Sequence, residues 1–340
     1  MTVAVRSFGK INLGLYIGAR RADGFHELRT VYQTIALHDV IRVSVDATSK
    51  ARGSGIEILC DDSRVPLDSS NTCHRAAALV MQALKARGKI TIEIEKKLPV
   101  QGGLGAASSN AVATMAGLER ALKKCLSGTE RLRIAAEVGS DLPLFLIGGM
   151  VLGVGRGEEV YPLPDLPSIS MVVVTPEIGV STPKAFADWD ALMGERASSD
   201  QLTHPGSSDR LFEVGCALSA WLSHYPDAGA PAKRGGRAGS LLSDLVRAGI
   251  ENDFEKVVFP QFPELRDMKR ALVRAGSRYA SLSGSGSTLY GLFGSAAEAE
   301  KAAVRLRKQG LRATATRTLT RREFGKSSVV VGRWSSVVGH

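Results

Sequence analysis

The chain of 340 residues is 44% hydrophobic and 23% charged, which suits two folded lobes and excludes a disordered or fibrous protein. Its net charge of +10 is concentrated from Lys301 onward, where ten Lys and Arg face the single acid Glu323, so the charge belongs to the chain's end and argues against a specific nucleic-acid-binding fold. The start MTVAVRSFGK lacks a signal-peptide core, no apolar run reaches a membrane span, and Cys60, Cys73, Cys125 and Cys216 have no paired spacing, so the expectation is a cytoplasmic protein with reduced thiols.

In chain order, Ile11, Leu13, Leu15 and Ile17 alternate with polar or small neighbours, the period of a strand over 3–17. Lys10 points opposite to Ile11, and a solvated charge on a wet face is the ordinary outcome there. Asp23-Gly24 marks a turn, with Phe25 and His26 just past it. A half-buried Phe and a surface His are the plain expectation; stacking on a flat polar ring and hydrogen-bonding it is the functional one. Strand follows over 31–45 with a turn near His38-Asp39, then a short strand within 51–66 and a helix over 71–86.

The most informative stretch runs from Pro99 to Asn110: Pro99, Val100, Gln101, Gly102, Gly103, Leu104, Gly105, Ala106, Ala107, Ser108, Ser109, Asn110. Before it, Ile90, Ile92 and Ile94 alternate with Thr91, Glu93 and Glu95, as a strand with one wet face does. After it, Ala111, Met115, Leu118 and Leu122 form the apolar stripe of a helix that Ser108 or Ser109 is placed to cap. Bare backbone leading to a helix N-terminus suits an anion such as phosphate, while a tight turn whose glycines serve only geometry remains the alternative.

A helix is expected over 130–138, ahead of Gly139-Ser140-Asp141-Leu142-Pro143, where Asp141 reads as an N-cap. Glycine-punctuated strands fill 148–157, and Pro162, Pro164 and Pro167 mark a boundary between lobes at 1–162 and 168–318, with a basic tail at 319–340. The second lobe offers a strand over 169–174 and helices over 183–192, 209–224, 241–254 and 263–275, with a basic glycine-rich loop at 227–239. Strands over 279–282 and 288–293 are joined by Ser283-Gly284-Ser285-Gly286-Ser287, a second phosphate-grade loop, and a helix over 296–309 and a strand over 312–318 follow. A P-loop is excluded, because Gly325-Lys326-Ser327 has Thr320 where the first glycine belongs. A dinucleotide fold is disfavoured by the alternating strand before the loop.

Lys10-Ile11-Asn12-Leu13, the stretch 99–109 and Ser283-Gly284-Ser285-Gly286, in that order, resemble the three motifs of the galactokinase, homoserine kinase, mevalonate kinase and phosphomevalonate kinase superfamily. The segments RRADGFHE at 20–27, Ser108-Ser109-Asn110-Ala111, 139–143, Gly155-Arg156-Gly157-Glu158 and Asn252-Asp253-Phe254-Glu255 are similar to its branch that acts on a cytidine-diphosphate-linked methylerythritol. The resemblance spans 5–318 and implies an α+β fold of two lobes, the first like domain 2 of ribosomal protein S5 and the second ferredoxin-like. It also implies ATP and Mg2+, with transfer of the γ-phosphoryl group to the tertiary 2-hydroxyl of that acceptor in non-mevalonate isoprenoid synthesis. The Mg2+ ligands would be mostly phosphate oxygens and water.

Residue by residue, the resemblance implies ATP binding by the backbone of 99–109. It gives Asp141 the hydroxyl proton, and Lys10 the task of keeping Asp141 ionised while offsetting phosphoryl charge. His26 would bond the cytosine edge, Phe25 and Phe186 would stack on its faces, and Asn12 would orient the methylerythritol end. The serine loop would line the cleft or shape the lobe interface. The implied partner is this small molecule, with no membrane or specific nucleic acid, and the chain is a monomer or homodimer. Gln101, Ala106 and Ala107 stand where the family loop has glycines, Phe25 where tyrosine is usual, Ser140 where alanine is common and Ser287 where proline is common. The alternatives are another small-molecule alcohol kinase of the superfamily and a non-catalytic nucleotide-binding regulator.

Overall fold

Two long strands open the chain. In the computed structural model, which describes residues 2–46, 55–199 and 250–330, β1 (Thr2–Arg20) and β2 (His26–Asp46) pair antiparallel from Thr2 opposite Ser44 to Arg20 opposite His26. The register shifts between Phe8 and Lys10, between Asn12 and Gly14, and between Ile17 and Arg20. Such bulges re-aim side chains, and two of them flank Lys10 and Asn12. Ile11 and Leu13 face a buried cluster with Met171, Val173 and Tyr290, so strand alternation turns Lys10 and Asn12 the other way.

The length of β2 lets it serve two neighbours. Residues 40–46 pair with β4 (Lys89–Glu95), and residues 28–33 pair with β5 (Met150–Gly155). With β3 (Ile56–Cys60) parallel to β4, β6 (Glu159–Pro162) beside β5 and β11 (Val329–Val330) beside β1, the first sheet has seven strands. Ile90, Ile92 and Ile94 point inward as their spacing predicts. They pack with Ile41 and Val43 against α1 (Thr72–Ala83), α2 (Ala106–Leu122), α3 (Gly128–Val138) and α4 (Leu142–Ile147).

The turn expected near His38-Asp39 is absent, and β2 runs straight through it. Asp39 is fully buried, and its carboxylate accepts from the Lys97 and Leu98 N–H groups at 2.7 Å each, from Asn110 Nδ2 at 3.0 Å and from Lys96 Nζ at 2.5 Å. The residue that suggested a turn instead fixes the exit of β4 against α2.

The second sheet is antiparallel throughout, in the order β10 (Ala313–Arg317), β7 (Ser170–Val174), β9 (Leu289–Phe293), β8 (Tyr279–Leu282). Its core joins α5 (Thr182–Ser199), α6 (Glu255–Gln261), α7 (Pro263–Arg274) and α8 (Ala296–Lys308), and it takes in Leu15 and Ile17 from β1. The two sheets with their helices form the α+β architecture expected. Among the described residues no helix is long and apolar enough to cross a membrane.

Two expectations need correction. Residues 252–254, expected to end a helix, instead form a bridge from Asn252 to Leu15 and a turn, and the Asp253 carboxylate accepts the Ile17 N–H at 2.9 Å. Residues 250 and 251 are not helical either, and residues 241–249, the helix at 209–224 and the loop at 227–239 lie outside the described residues. The expected tail folds back on the first sheet through α9 (Arg321–Ser327), capped reciprocally by Thr320 and Glu323, and then β11. Phe324 lies 5.6 Å from the Phe8 ring, and Arg321 donates to the Met150 and Leu163 carbonyls at 2.9 and 3.0 Å.

The sheets are tied by two phenols. Tyr290 donates to the Asn12 carbonyl at 2.8 Å, and Tyr279 donates to the Ile250 and Leu13 carbonyls at 3.2 and 3.3 Å. Burial pushes both hydroxyl pKa values upward. The native state therefore keeps protons that the unfolded chain loses above about pH 10, so stability is full below that pH and falls as pH rises beyond it. Chemical denaturation across this range should show the fall, and Tyr290→Phe should shallow it while lowering neutral stability by about 1 kcal/mol. A slope unchanged by Tyr290→Phe would remove Tyr290 from the explanation.

Candidate active site

Between the sheets lies a cleft of about 610 Å³. Its middle is built by the glycine loop, which leaves β4 at the residues pinned by Asp39. Gln101, Gly103 and Gly105 take left-handed φ values of 57°, 76° and 68°. At Gly103 only hydrogen fits, because a Cβ would lie 2.1 Å from the Ser283 carbonyl oxygen. That closeness lets Ser283 Oγ donate to the Gly103 carbonyl at 2.9 Å and the Thr288 N–H donate to the Gly102 carbonyl at 3.2 Å. The serine loop thus braces the glycine loop across the lobes, and Ser285 is joined to Thr182 of α5 at 2.7 Å.

Ser108 and Ser109 are not caps. Gly105 is the N-cap, α2 begins at Ala106, and the first helical bond closes from the Ser109 N–H to the Gly105 carbonyl at 2.9 Å. The N–H groups of Ala106, Ala107 and Ser108 precede that bond and stand at the positive end of a helix of 17 residues. Ala106, Ala107 and Ser108 line the cleft, as do Pro99 through Gly105. Ser109 does not; it is buried behind them and accepts from Ser7 Oγ at 2.7 Å.

Lys10 is buried rather than solvated. Its N–H donates to the Leu104 carbonyl at 2.9 Å, and its stem passes beside Gly105, where a Cβ would approach Lys10 Cγ at 3.1 Å. The ammonium lies 2.7 Å from Asn12 Oδ1 and 3.4 Å from Asp141 Oδ2. Asp141 does occupy the N-cap position of α4, but its side chain makes no capping bond. Instead its other oxygen accepts from Tyr32 Oη at 3.0 Å. Burial, reinforced by the Asp141 charge, raises the Tyr32 pKa well above the usual phenol range, so Tyr32 remains a donor. Asn12 has both ends of its amide engaged, Oδ1 by Lys10 and Nδ2 by Thr30 Oγ1 at 2.7 Å.

At one end of the cleft His26 is buried, with Nε2 2.6 Å from Asp190 Oδ1. Its ring stacks on Phe186, with centroids 4.9 Å apart and planes within 6°. Phe254 meets the edge of Phe186 at 4.9 Å. Phe25 is 52% exposed, with the Arg156 guanidinium 5.0 Å from its ring centre. The other end is walled by Arg64, Val65, Pro66, Asn71 and Lys96. Sequence reasoning missed these five, together with Tyr32, Asp39 and Asp190: Lys96 and Asp39 meet across 57 positions, Tyr32 reaches Asp141 across 109 and Asp190 reaches His26 across 164, while Arg64 and Asn71 bond near neighbours such as Asp62 and Cys73 and fall in no motif. Among the described residues Asp141 is the sole acidic one lining the cleft, and no cluster of three His, Cys, Asp or Glu able to hold a metal occurs among them.

Residues 71–149 match the GHMP kinases N terminal domain, and residues 234–311 match GHMP kinases C terminal. The chain is 40% identical over 290 residues to 4-diphosphocytidyl-2-C-methyl-D-erythritol kinase of Solibacter usitatus (strain Ellin6076), covering 85% of this chain and 80% of that relative. It is 33% identical to the same kinase of Moorella thermoacetica, covering 92% of this chain and 98% of the other. A crystal structure of 4-(cytidine 5'-diphospho)-2C-methyl-D-erythritol kinase superposes with a TM-score of 0.67 at 28% identity, over 93% of this chain and 98% of that one. A homoserine kinase from Cytophaga hutchinsonii shares the fold with a TM-score of 0.64 at 20% identity, over 94% of this chain and 95% of the other.

The contact at Gly103 yields a direct test. Gly103→Ala places a Cβ against the Ser283 carbonyl in a left-handed conformation, and should cost about 2 kcal/mol or more. A fall of several degrees in Tm checks this, and an unchanged Tm would mean that the two loops are not in contact.

Proposed function

This chain belongs to the 4-diphosphocytidyl-2-C-methyl-D-erythritol kinase family, and from that premise we propose that it phosphorylates the 2-hydroxyl of 4-diphosphocytidyl-2-C-methyl-D-erythritol with ATP. The observation that carries the reading is the convergence of Lys10, Asp141 and the N-terminus of α2 in one cleft whose far end holds a stacked ring pair.

In this reading the acceptor's hydroxyl oxygen attacks the γ-phosphorus, the bond from that phosphorus to the β,γ-bridging oxygen breaks, and ADP leaves. The hydroxyl proton passes to Asp141, whose oxygens are oriented by Lys10 and Tyr32. Phosphoryl transfer has a loose transition state, so positioning and charge balance dominate. Lys10 supplies positive charge from a site where water screens it little. The N–H groups at the start of α2 and along the glycine loop hold the triphosphate. Arg64, Val65, Pro66, Asn71 and Lys96 would enclose the nucleoside of ATP. Asn12 lines the cleft, where it would orient the acceptor, and its Oδ1 also aims the Lys10 ammonium.

A magnesium ion fits this donor set as a companion of the phosphates, since among the described residues the cleft offers one carboxylate, Asp141, beside the glycine loop. When bound it would neutralise phosphate charge, with phosphate oxygens and water as its main ligands.

For the acceptor, the near-parallel planes of His26 and Phe186 support the cytidine reading. A base bonded in the plane of the imidazole lies parallel to the Phe186 ring, and Phe25 stands exposed at the mouth to cover it.

Incubation with ATP, Mg2+ and the cytidyl alcohol should yield ADP and a new phosphomonoester, whereas mevalonate and homoserine should not be consumed. Asp141→Asn should lower kcat by at least roughly 100-fold with modest change in either KM, and a near-wild-type kcat would sink the proton-acceptor role. His26→Ala should raise the acceptor KM about tenfold or more and leave the ATP KM unchanged; an unchanged acceptor KM would mean that cytidine binds elsewhere.

A further inference from the structure

Phe186 and Asp190 stand four residues apart on α5, so they project side by side from one face of the helix. His26, from the start of β2, lies flat against the first and is bonded to the second at 2.6 Å. The ring is therefore held in both plane and rotation. A carboxylate only accepts hydrogen bonds, so the His26 nitrogen facing Asp190 is the one that carries a proton. In the neutral imidazole the other nitrogen, Nδ1, is then left with a lone pair. Among the described residues nothing donates to Nδ1, and His26 lines the cleft.

The pyrimidine that pairs with such an atom is fixed by elementary base chemistry. Cytosine carries an amino group at C4, a donor, where uracil carries a carbonyl oxygen, an acceptor. Set against the Nδ1 lone pair, the cytosine amino group forms a hydrogen bond, and the uracil oxygen brings two acceptors face to face. A site built around one donor rejects an analogue that leaves its buried acceptor unmatched.

We infer that Asp190 is a positioning residue that determines base specificity: by accepting a hydrogen bond from the Nε2–H of His26 it presents Nδ1 as an acceptor for the 4-amino group of cytosine, and so selects cytidine over uridine acceptors. The inference rests on the cytidine reading of the previous section. Asp190 contributes through His26 and touches neither the phosphates nor the reacting hydroxyl.

The test compares kcat/KM for the cytidine- and uridine-diphosphate-linked acceptors in the full-length enzyme. Asp190→Asn removes the demand on the tautomer, since an amide can donate or accept, and Asp190→Ala removes the partner altogether. Each should lower the cytidine-over-uridine ratio about tenfold through the acceptor KM, with kcat and the ATP KM nearly unchanged. Asp190→Glu should restore part of the preference, which a merely structural role would not do. Asp190 has 41% of its side chain exposed, so these variants should fold. Nitrogen-15 spectra of His26 supply an independent readout. Wild-type enzyme should show the neutral Nε2–H form, and Asp190→Ala should lose that dominance. An Nδ1–H or doubly protonated ring in the wild type overturns the inference, and so does a base preference unmoved in both variants. If His26→Ala raises the acceptor KM while the Asp190 variants keep their preference, only this inference fails; if His26→Ala leaves that KM unchanged, the cytidine reading fails with it.

Discussion

Lys10 carries a positive charge that the fold has withdrawn from water, and that withdrawal is sustainable only if every group around the ammonium is placed to answer it. Leaving one partner of a buried pair without the other typically costs several kcal/mol, so Asp141 and Asn12 are constrained as tightly as the lysine. The constraint spreads outward. Asp141 is held by Tyr32, Asn12 by Thr30, and the Lys10 backbone by the Leu104 carbonyl of the glycine loop. Gly105 leaves room for the lysine stem, and bulges on both sides of the strand set its direction. A stretch of cleft wall bounded by the ammonium and by the first N–H groups of α2 results from satisfying one charge.

The two lobes meet at this point because a second set of polar contacts clamps the serine loop. Asn252 Nδ2 donates to the Leu282 and Gly284 carbonyls at 2.9 and 2.8 Å, and the Glu255 carboxylate accepts from Ser281 Oγ and the Leu282 N–H at 2.9 Å each. Asp253 reaches the other way, to the Ile17 N–H of β1. The segment Asn252-Asp253-Phe254-Glu255, read in the sequence as a family signature, is thus chiefly a bracket between sheets. Phe254 alone of the four faces the cleft, where it supports Phe186.

What the sequence makes legible is whatever repeats or stays local. The alternating isoleucines before the glycine loop, the stripe of α2 and the turn residues ahead of Phe25 announce their elements, and the resemblance in three ordered motifs announces the lobes. Side-chain partnerships across long separations carry no such signal. Asp39 looks like a turn residue because its partners, Leu98 and Asn110, are 59 and 71 positions away. Asp141 looks like a helix cap because Tyr32 is 109 positions distant. Strand period gives the direction of Lys10 but not its burial, which depends on a helix and a loop from elsewhere. His26 and Asp190, 164 positions apart, lie beyond any local pattern.

The final described residues also belong to the first lobe. The Arg6 N–H is bonded to the Ser328 carbonyl at 3.0 Å, β11 runs beside the opening residues of β1, and Phe324 fills the space that a side chain at Gly148 would occupy. During synthesis, residues 321–330 leave the ribosome after every other part of the fold described here. Until they do, the strand that carries Lys10 keeps an open edge, the kind of surface that recruits foreign strands. The order of translation therefore leaves the outer edge of β1 at Ala4 to Arg6 to be closed last, and a chain released short of Arg321 would present that edge to whatever else the cell is making.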